Sequence, residues 1–361
     1  MILAKDVANG VLAKNKCLEE SLNLAFGDFC VAVISNNQLL LDNLREYFAE
    51  FIADDNYEIT QTVHVLESNF AKPDVEFIHW SRDPGKAGHK DAFFDTPDGR
   101  LCLKVRTGLN YVLCDDKRIA YGPALKNFSQ AVNFIISQHI EWLMNQGSVI
   151  CHAAAVAYKG SGIALSAFSG GGKSTTALHL MDFGLDFISN DRLFIRHQNN
   201  KTEMFGVAKQ PRINPGTILN NKVLRPLIPQ KRIEELEKMD KQTLWQLEDK
   251  YDAMIEPLYG KNRFQLATDI HAHVVLNWKH ESENETELKL VDISQRQDLL
   301  EAIMKSPGPF FMDKNGQGWQ NGGVSEKQTY IDVLSNIEVY EISGKVDFDA
   351  MLQPLVELIK R

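Results

Sequence analysis

Ser169-Gly170-Gly171-Gly172-Lys173-Ser174-Thr175 gathers the residue types that can hold a phosphate. Three consecutive glycines let a backbone turn sharply and bring its N–H groups close to phosphate oxygens. The run Gly162-Ile163-Ala164-Leu165-Ser166 before the loop reads as a buried strand. Thr175-Thr176-Ala177-Leu178-His179-Leu180-Met181 after it has helical spacing. Strand, glycine loop, Gly-Lys-Ser and helix is the context of a phosphate-binding loop. A helix beginning near Lys173 aims unpaired N–H groups and its positive dipole end at the same place. Lys173 can add a cation for the outer phosphates, and the Ser174 hydroxyl can bind Mg²⁺. The usual pattern opens with glycine, and Ala167 stands there instead. A glycine-rich turn followed by a chance Lys-Ser is the competing reading.

A second constellation follows one helix later. Leu185–Ser189 reads as a strand that ends at Asn190-Asp191-Arg192, with Asp191 18 residues after Lys173. An acidic residue at that point is where such an enzyme holds Mg²⁺. The competing reading of Ser-Asn-Asp-Arg is a surface turn. Lys209 and Arg212 lie in a Gly/Pro loop at 206–217, where cations could clamp a transferring phosphate. The alternative is that both are solvated charges.

Taken together, Cys151-His152, the Gly160–Gly162 turn, Ser169–Ser174, Gly184 and Ser189-Asn190-Asp191 resemble the core of the HPr kinase/phosphorylase family. In outline they are also similar to ATP-dependent phosphoenolpyruvate carboxykinases. The tract Gly206–Thr217 makes the fuller resemblance one to HprK-related kinase B. The likeness covers roughly residues 150–220 and weakens over 220–280. It implies an α/β fold: a P-loop HPr-kinase/PEP-carboxykinase-like core with a mixed sheet, preceded by an α+β N-terminal domain. It also implies ATP and Mg²⁺ as cofactors, a protein serine or threonine as acceptor, and homo-oligomers among relatives. By position Ser169, Gly170, Gly171, Gly172, Lys173, Ser174 and Thr175 would bind nucleotide. Ser174 and Asp191 would hold the metal, and His152, Lys173, Asp191 and Arg212 would form the catalytic set. His152 matches a family histidine near the reaction centre; the bland alternative is a satisfied histidine at a strand start.

One departure bears on mechanism. The family has two adjacent aspartates, the first serving as acid/base, and Asn190 occupies the first place here. An amide has no useful proton affinity near neutral pH. Asp191 could serve both roles, His152 could act as base, or transfer could rest on positioning and charge stabilisation. Asn190 also bears on the reverse, phosphorylase reaction. A small-molecule kinase and a nucleotide sensor without transfer are the alternatives in other functional classes.

The 361 residues suggest two domains or so, with 44% hydrophobic and 24% charged residues. A net charge of −9 argues against general binding to nucleic acid or to an anionic membrane. A phosphate site must therefore be a local basic pocket. The five widely spaced cysteines include no CxxC, which indicates neither a zinc site nor a disulfide framework. They fit a reducing cytoplasm, and the N-terminus shows no signal-peptide pattern.

The elements that must position these residues follow from periodicity. Residues 1 to about 25 read as an amphipathic helix, Phe29–Ile34 as a strand, and Asn36 or Asn37 as the cap of the next helix. Strands are expected at Tyr57–Val65 and Val75–Trp80, with a loop at Arg82–His89, then a meander through Tyr121. A helix from Phe128 stops near Gly147. The expected domains are 1–146, of unknown role, and 147–361, the kinase domain. Within the latter, Val149–Tyr158 is one strand, and Lys159–Gly162 turns it into the strand before the loop. Ile233 to Leu247 marks a charged-faced helix, and Asp298–Met304 another. His271 and His273 alternate on a strand as a ligand pair, and Arg263 lies in a turn; metal and phosphate contact, respectively, are the less favoured readings for them. Pro307–Gly323 holds five glycines and reads as a lid or binding loop, with disorder as the alternative.

Overall fold

In the computed structural model the described residues are 2–54, 57–82, 88–115, 117–168, 170–240, 243–244, 247 and 249–361. They form two units, Met1–Gly147 with Ser306–Val324, and Ser148–Lys305 with Ser325–Arg361. The expected domains 1–146 and 147–361 differ from these units at Gly147 and by the segment Ser306–Val324. Each unit is a mixed α/β assembly on one large mixed sheet.

In the first unit the strands are β1 (Ser21–Phe26), β2 (Phe29–Ile34), β3 (Gln61–Glu67) and β4 (Ile78–His79). They continue as β5 (Asp91–Thr96), β6 (Gly99–Lys104), β7 (Asn110–Cys114) and β8 (Lys117–Gly122). The sheet order is β1-β2-β3-β8-β7-β6-β5-β4, with β3 parallel to both neighbours and every other pairing antiparallel. Helix α1 is Ala4–Lys14, shorter than the expected helix to about residue 25. Asn15 ends it, and Ser21–Phe26 buries Leu22, Leu24 and Phe26 alternately, which is a strand's period. Asp98 accepts from Ala4 N (2.7 Å) and Lys5 N (2.9 Å), which satisfies two donors at the start of α1. Helix α2 is Gln38–Tyr47, capped by the Asn37 side chain, and α3 is Phe128–Asn145. The Arg82–His89 loop lies in part outside the described residues.

The glycine-rich segment expected as a lid is tied into this unit. Phe310 packs on Tyr111 at 4.8 Å between ring centres, and Phe311 and Met312 are buried. The buried Arg100 guanidinium donates to Pro309 O (3.3 Å) and Trp319 O (3.1 Å), and Met312 N donates to Glu141 Oε2 (3.1 Å). A segment that buries side chains and satisfies a buried arginine is a structural insertion.

The second unit carries β9 (Val149–Cys151), β10 (Ala153–Tyr158), β11 (Ser161–Ala167), β12 (Asp186–Ser189), β13 (Leu193–Gln198) and β14 (Lys201–Phe205). Then come β15 (Arg212–Ile213), β16 (Tyr251–Asp252), β17 (Ala267–Leu276), β18 (Glu287–Leu290) and β19 (Glu338–Ser343). The main order is β12-β10-β11-β17-β14-β13-β9, with β19 pairing β17 and β18 pairing β19; β15 and β16 form a separate pair. The strand expected at Val149–Tyr158 is broken at His152, so β9 pairs with β13 while β10 pairs with β11 and β12. Helix α4, Lys173–Met181, packs on β10–β12 and against the C-terminal helix Phe348–Ile359. The helix expected across Ile233–Leu247 is seen as Gln230–Leu236; residues 241, 242, 245 and 246 of that stretch lie outside the described set.

Two buried histidines link this packing to pH. His139 of α3 lies among the rings of Phe26, Phe29 and Trp142, and His273 of β17 is fully buried. Burial pushes both down to about 3. An unfolded histidine titrates near about 6.5, so between those values the unfolded chain binds protons that the folded chain does not. Stability should then fall as pH drops below about 6.5, by up to about 1.4 kcal/mol per pH unit for each histidine. Thermal melts from about pH 7 to about pH 5 should show a declining Tm, with a shallower decline in His273→Gln. A Tm flat over that range contradicts this reading.

Candidate active site

Sheet topology brings the chemistry-bearing residues to one edge. Strands β10 and β11 form a hairpin through Lys159 (φ 50°) and Gly160 (φ 85°), the left-handed pair of a tight hairpin turn. Because β12 is also antiparallel to β10, it runs in the same direction as β11. The glycine loop and Asn190-Asp191 therefore leave the sheet at the same edge. His152 immediately precedes β10 at that edge. Strand β17, parallel to β11, delivers Trp278 there. The bridge Cys151–Met304 sets Lys305 close to His152 in the fold, and His152 N donates to Ile303 O at 2.7 Å.

The loop itself is sterically determined. Gly170 (φ 77°) and Gly172 (φ 85°) occupy the left-handed region that disfavours other residues. A Cβ at Gly171 would lie 2.8 Å from Ala167 Cβ, and one at Gly172 would lie 2.6 Å from Phe348 Cζ. Ala167 is the last residue of β11 and is extended, so alanine is tolerated where the usual pattern has glycine. The Trp278 indole donates to Gly171 O at 2.9 Å, and Phe348 meets Trp278 edge-on at 5.0 Å. These rings form the wall behind the loop. Lys173 and Ser174 open α4, whose first turn is closed by Thr176 N to Gly172 O at 2.9 Å. Thr175 Oγ1 lies 2.8 Å from Thr217 Oγ1, which ties the helix to the 206–217 loop. Ser169 lies outside the described residues.

Beside the loop is a charged cluster. Asp191 Oδ1 lies 3.2 Å from His152 Nε2 and 3.2 Å from Lys305 Nζ. Desolvation by its neighbours would raise the half-exposed Asp191 carboxyl, but Lys305, the His152 hydrogen bond, Lys173 and Arg192 outweigh it and hold it well below the usual range. Lys305 thus contacts the carboxylate, while Lys173 and Arg192 add positive charge that acts on it. Burial lowers His152, with Lys173 and Lys305 adding to that effect against Asp191. A neutral imidazole facing an ionised carboxylate must donate to it, so the Nε2–H tautomer is assigned and Nδ1 is left as the basic nitrogen. Lys305 is pushed down to about 8 by burial, with Asp191 opposing.

Buried groups hold this cluster in place. Ser166 Oγ donates to His152 O (3.0 Å) and lies 2.9 Å from His273 Nε2. The single hydroxyl proton is committed, so His273 donates from Nε2. Tyr330 Oη donates to Ile150 O (2.7 Å) and accepts from Lys305 N (3.2 Å). The main chain on both sides of His152, and at Lys305, is fixed through side chains of the core.

Of the residues singled out in sequence, His152, Lys173 and Asp191 come together. Arg212 is paired with Asp252 at 3.1 Å in the β15–β16 sheet, outside the groups that act on Asp191. Asn190 Oδ1 is buried with no hydrogen-bond partner among the described residues. Arg263 is bound to Asp186 at 2.6 Å and is a structural ion pair. His271 lies 3.5 Å from Glu338 while His273 bonds Ser166, so each imidazole has its own partner. Lys305, Trp278 and Phe348 have no local motif. Lys305 stands 114 residues beyond Asp191, and the pairing of Ile303–Met304 with Cys151–His152 brings the two together.

Among the described residues no three His, Cys, Asp or Glu side chains form a metal cage. The donor types of Ser174 and Asp191, a hydroxyl and a carboxylate, suit Mg²⁺, which usually takes one or two protein oxygens and completes its shell with phosphates and water.

No protein-family model and no curated protein matches the chain. Among solved structures it is similar to the Hpr(Ser) kinase/phosphatase from Coxiella burnetii. The identity is 13%, over 59% of this chain and 88% of that one, with a TM-score of 0.29. At that score the likeness is distant.

The loop geometry predicts the behaviour of Gly172→Ala. Left-handed strain and the contact with Phe348 should destabilise the protein by about 1–3 kcal/mol in denaturant melts. Adding Phe348→Ala should remove the clash but leave the strain, so the double variant should not regain the Phe348→Ala value. A Gly172→Ala protein that melts like wild type contradicts the loop conformation.

Proposed function

We propose that the chain is a Mg²⁺- and ATP-dependent phosphotransferase acting on a hydroxyl, with a protein serine or threonine as the acceptor. The observation that carries this reading is the Lys173 loop beside a carboxylate ringed by cations at one sheet edge. Backbone N–H groups of Gly170–Gly172 and the start of α4 would hold the β- and γ-phosphates, with Lys173 neutralising them. Ser174 and Asp191 would hold Mg²⁺, which when bound supplies positive charge against the phosphate oxygens.

The electrostatics favour one of the three routes open to a chain with Asn190. Asp191 is held ionised by its neighbours and is a weak base. Burial and nearby lysines make His152 a weak base too. Loose phosphoryl transfer needs little base assistance and depends on positioning and charge stabilisation. In this reading His152 orients Asp191, while Lys173 and Arg192 add positive charge. The acceptor oxygen forms its bond to γ-phosphorus as the bond to the β-bridging oxygen breaks. The electron pair leaves with ADP, and the hydroxyl proton passes to solvent.

A sensor that binds nucleotide without transfer is the second reading, favoured by Asn190 and by the low basicity of Asp191. Purified protein with γ-labelled ATP, Mg²⁺ and lysate of its source separates these readings. Label on a polypeptide, lost in Lys173→Ala and reduced at least about 100-fold in Asp191→Asn, is the expected result. Label on a small molecule moves the acceptor class, and binding without transfer supports the sensor.

A further inference from the structure

The proposed reaction leaves Lys305 without a role, yet the fold fixes it firmly. Its backbone N–H is held by Tyr330 Oη, which also grips Ile150 O, and the adjacent Met304 bridges Cys151. Its stem is largely buried, and its ammonium reaches Asp191 Oδ1 at 3.2 Å. That carboxylate is the one that would hold Mg²⁺. Asp191 remains 47% exposed, so an ion from solution can reach it. Lys173 is close enough to act on both Asp191 and Lys305, which places the loop lysine and Lys305 on one electrostatic site.

We propose that Lys305 is an exchangeable cation of this phosphate site: it neutralises Asp191 in the empty protein and turns to the transferring phosphoryl group when Mg²⁺ occupies that carboxylate. This rests on the phosphotransferase reading and adds a residue to it. The physical basis is charge bookkeeping. A carboxylate beside two or three cations attracts whichever of them can face it. When a divalent ion takes the carboxylate, the displaced ammonium gains by facing phosphate oxygens instead. The bonds made and broken are those given for transfer to a hydroxyl; Lys305 forms no covalent bond and releases no proton.

Two effects of opposite sign follow. With Lys305→Met the competitor for Asp191 is gone, so Mg²⁺ should bind more tightly. The cation facing the transferred group is also gone, so turnover should fall. A merely structural lysine would weaken both. The experiment uses the full chain and Mg·ADP, followed by tryptophan fluorescence, with slow hydrolysis of Mg·ATP as the turnover readout. Lys305→Met should lower the half-saturating Mg²⁺ by about 10-fold, while kcat for hydrolysis falls by about 100-fold. Lys305→Arg should recover part of the kcat.

Equal Mg²⁺ requirement and equal kcat in wild type and Lys305→Met would overturn the proposal, as would a higher Mg²⁺ requirement. If Lys305→Met does not fold, Tyr330→Phe frees the Lys305 backbone and should shift both quantities in the same directions, less far; no shift there overturns it. Wild-type protein that binds no Mg·ADP sinks the phosphotransferase reading along with this one. Binding by wild type with an unresponsive Lys305 sinks this one alone.

Discussion

The Asp191 carboxylate is the point around which the second unit arranges its charged groups. One oxygen faces His152 and Lys305, while Lys173 and Arg192 add their charge. Removing one partner of such a set leaves the others uncompensated, and the buried ones suffer most. The surrounding architecture serves that balance. The break between β9 and β10 turns His152 toward the edge, Tyr330 fixes Lys305, and the parallel course of β11 and β12 brings loop and carboxylate together. Trp278 and Phe348 hold the loop from behind.

Much of this was readable in the sequence because it is local. The glycine loop and the Lys159-Gly160 turn each follow from a few adjacent residues. The strand ending at Asn190-Asp191 could be placed for the same reason. Lys305 could not. A lysine between Met304 and Ser306 has nothing beside it to mark a site, and its meaning comes from a strand bridge to Cys151. The break at His152 was equally hidden, since Val149–Tyr158 is apolar throughout except at that residue. Arg212 shows the converse. Its loop setting was suggestive, yet the nearby Asp252 takes it into an ion pair.

The segment Ser306–Val324 shows how composition can mislead. Its glycines read as a lid or binding loop, but Pro309-Phe310-Phe311-Met312 is an apolar run. Those side chains, with the carbonyls accepted by Arg100, bind it into the first unit. The helix expected through residue 25 failed for a related reason. The apolar positions beyond Lys14 repeat every two residues, and the strand period prevailed over the helical one.

The central claim is that the sheet edge holding Lys173 and Asp191 is a Mg²⁺-dependent triphosphate site. Calorimetric titration of the full chain with ATP, in Mg²⁺ and again in EDTA, tests it most directly. The account predicts one site per chain whose affinity drops by at least about 10-fold when the metal is removed, since phosphate charge then meets Asp191 unscreened. ATP that binds equally well with and without Mg²⁺, or that does not bind, would contradict it.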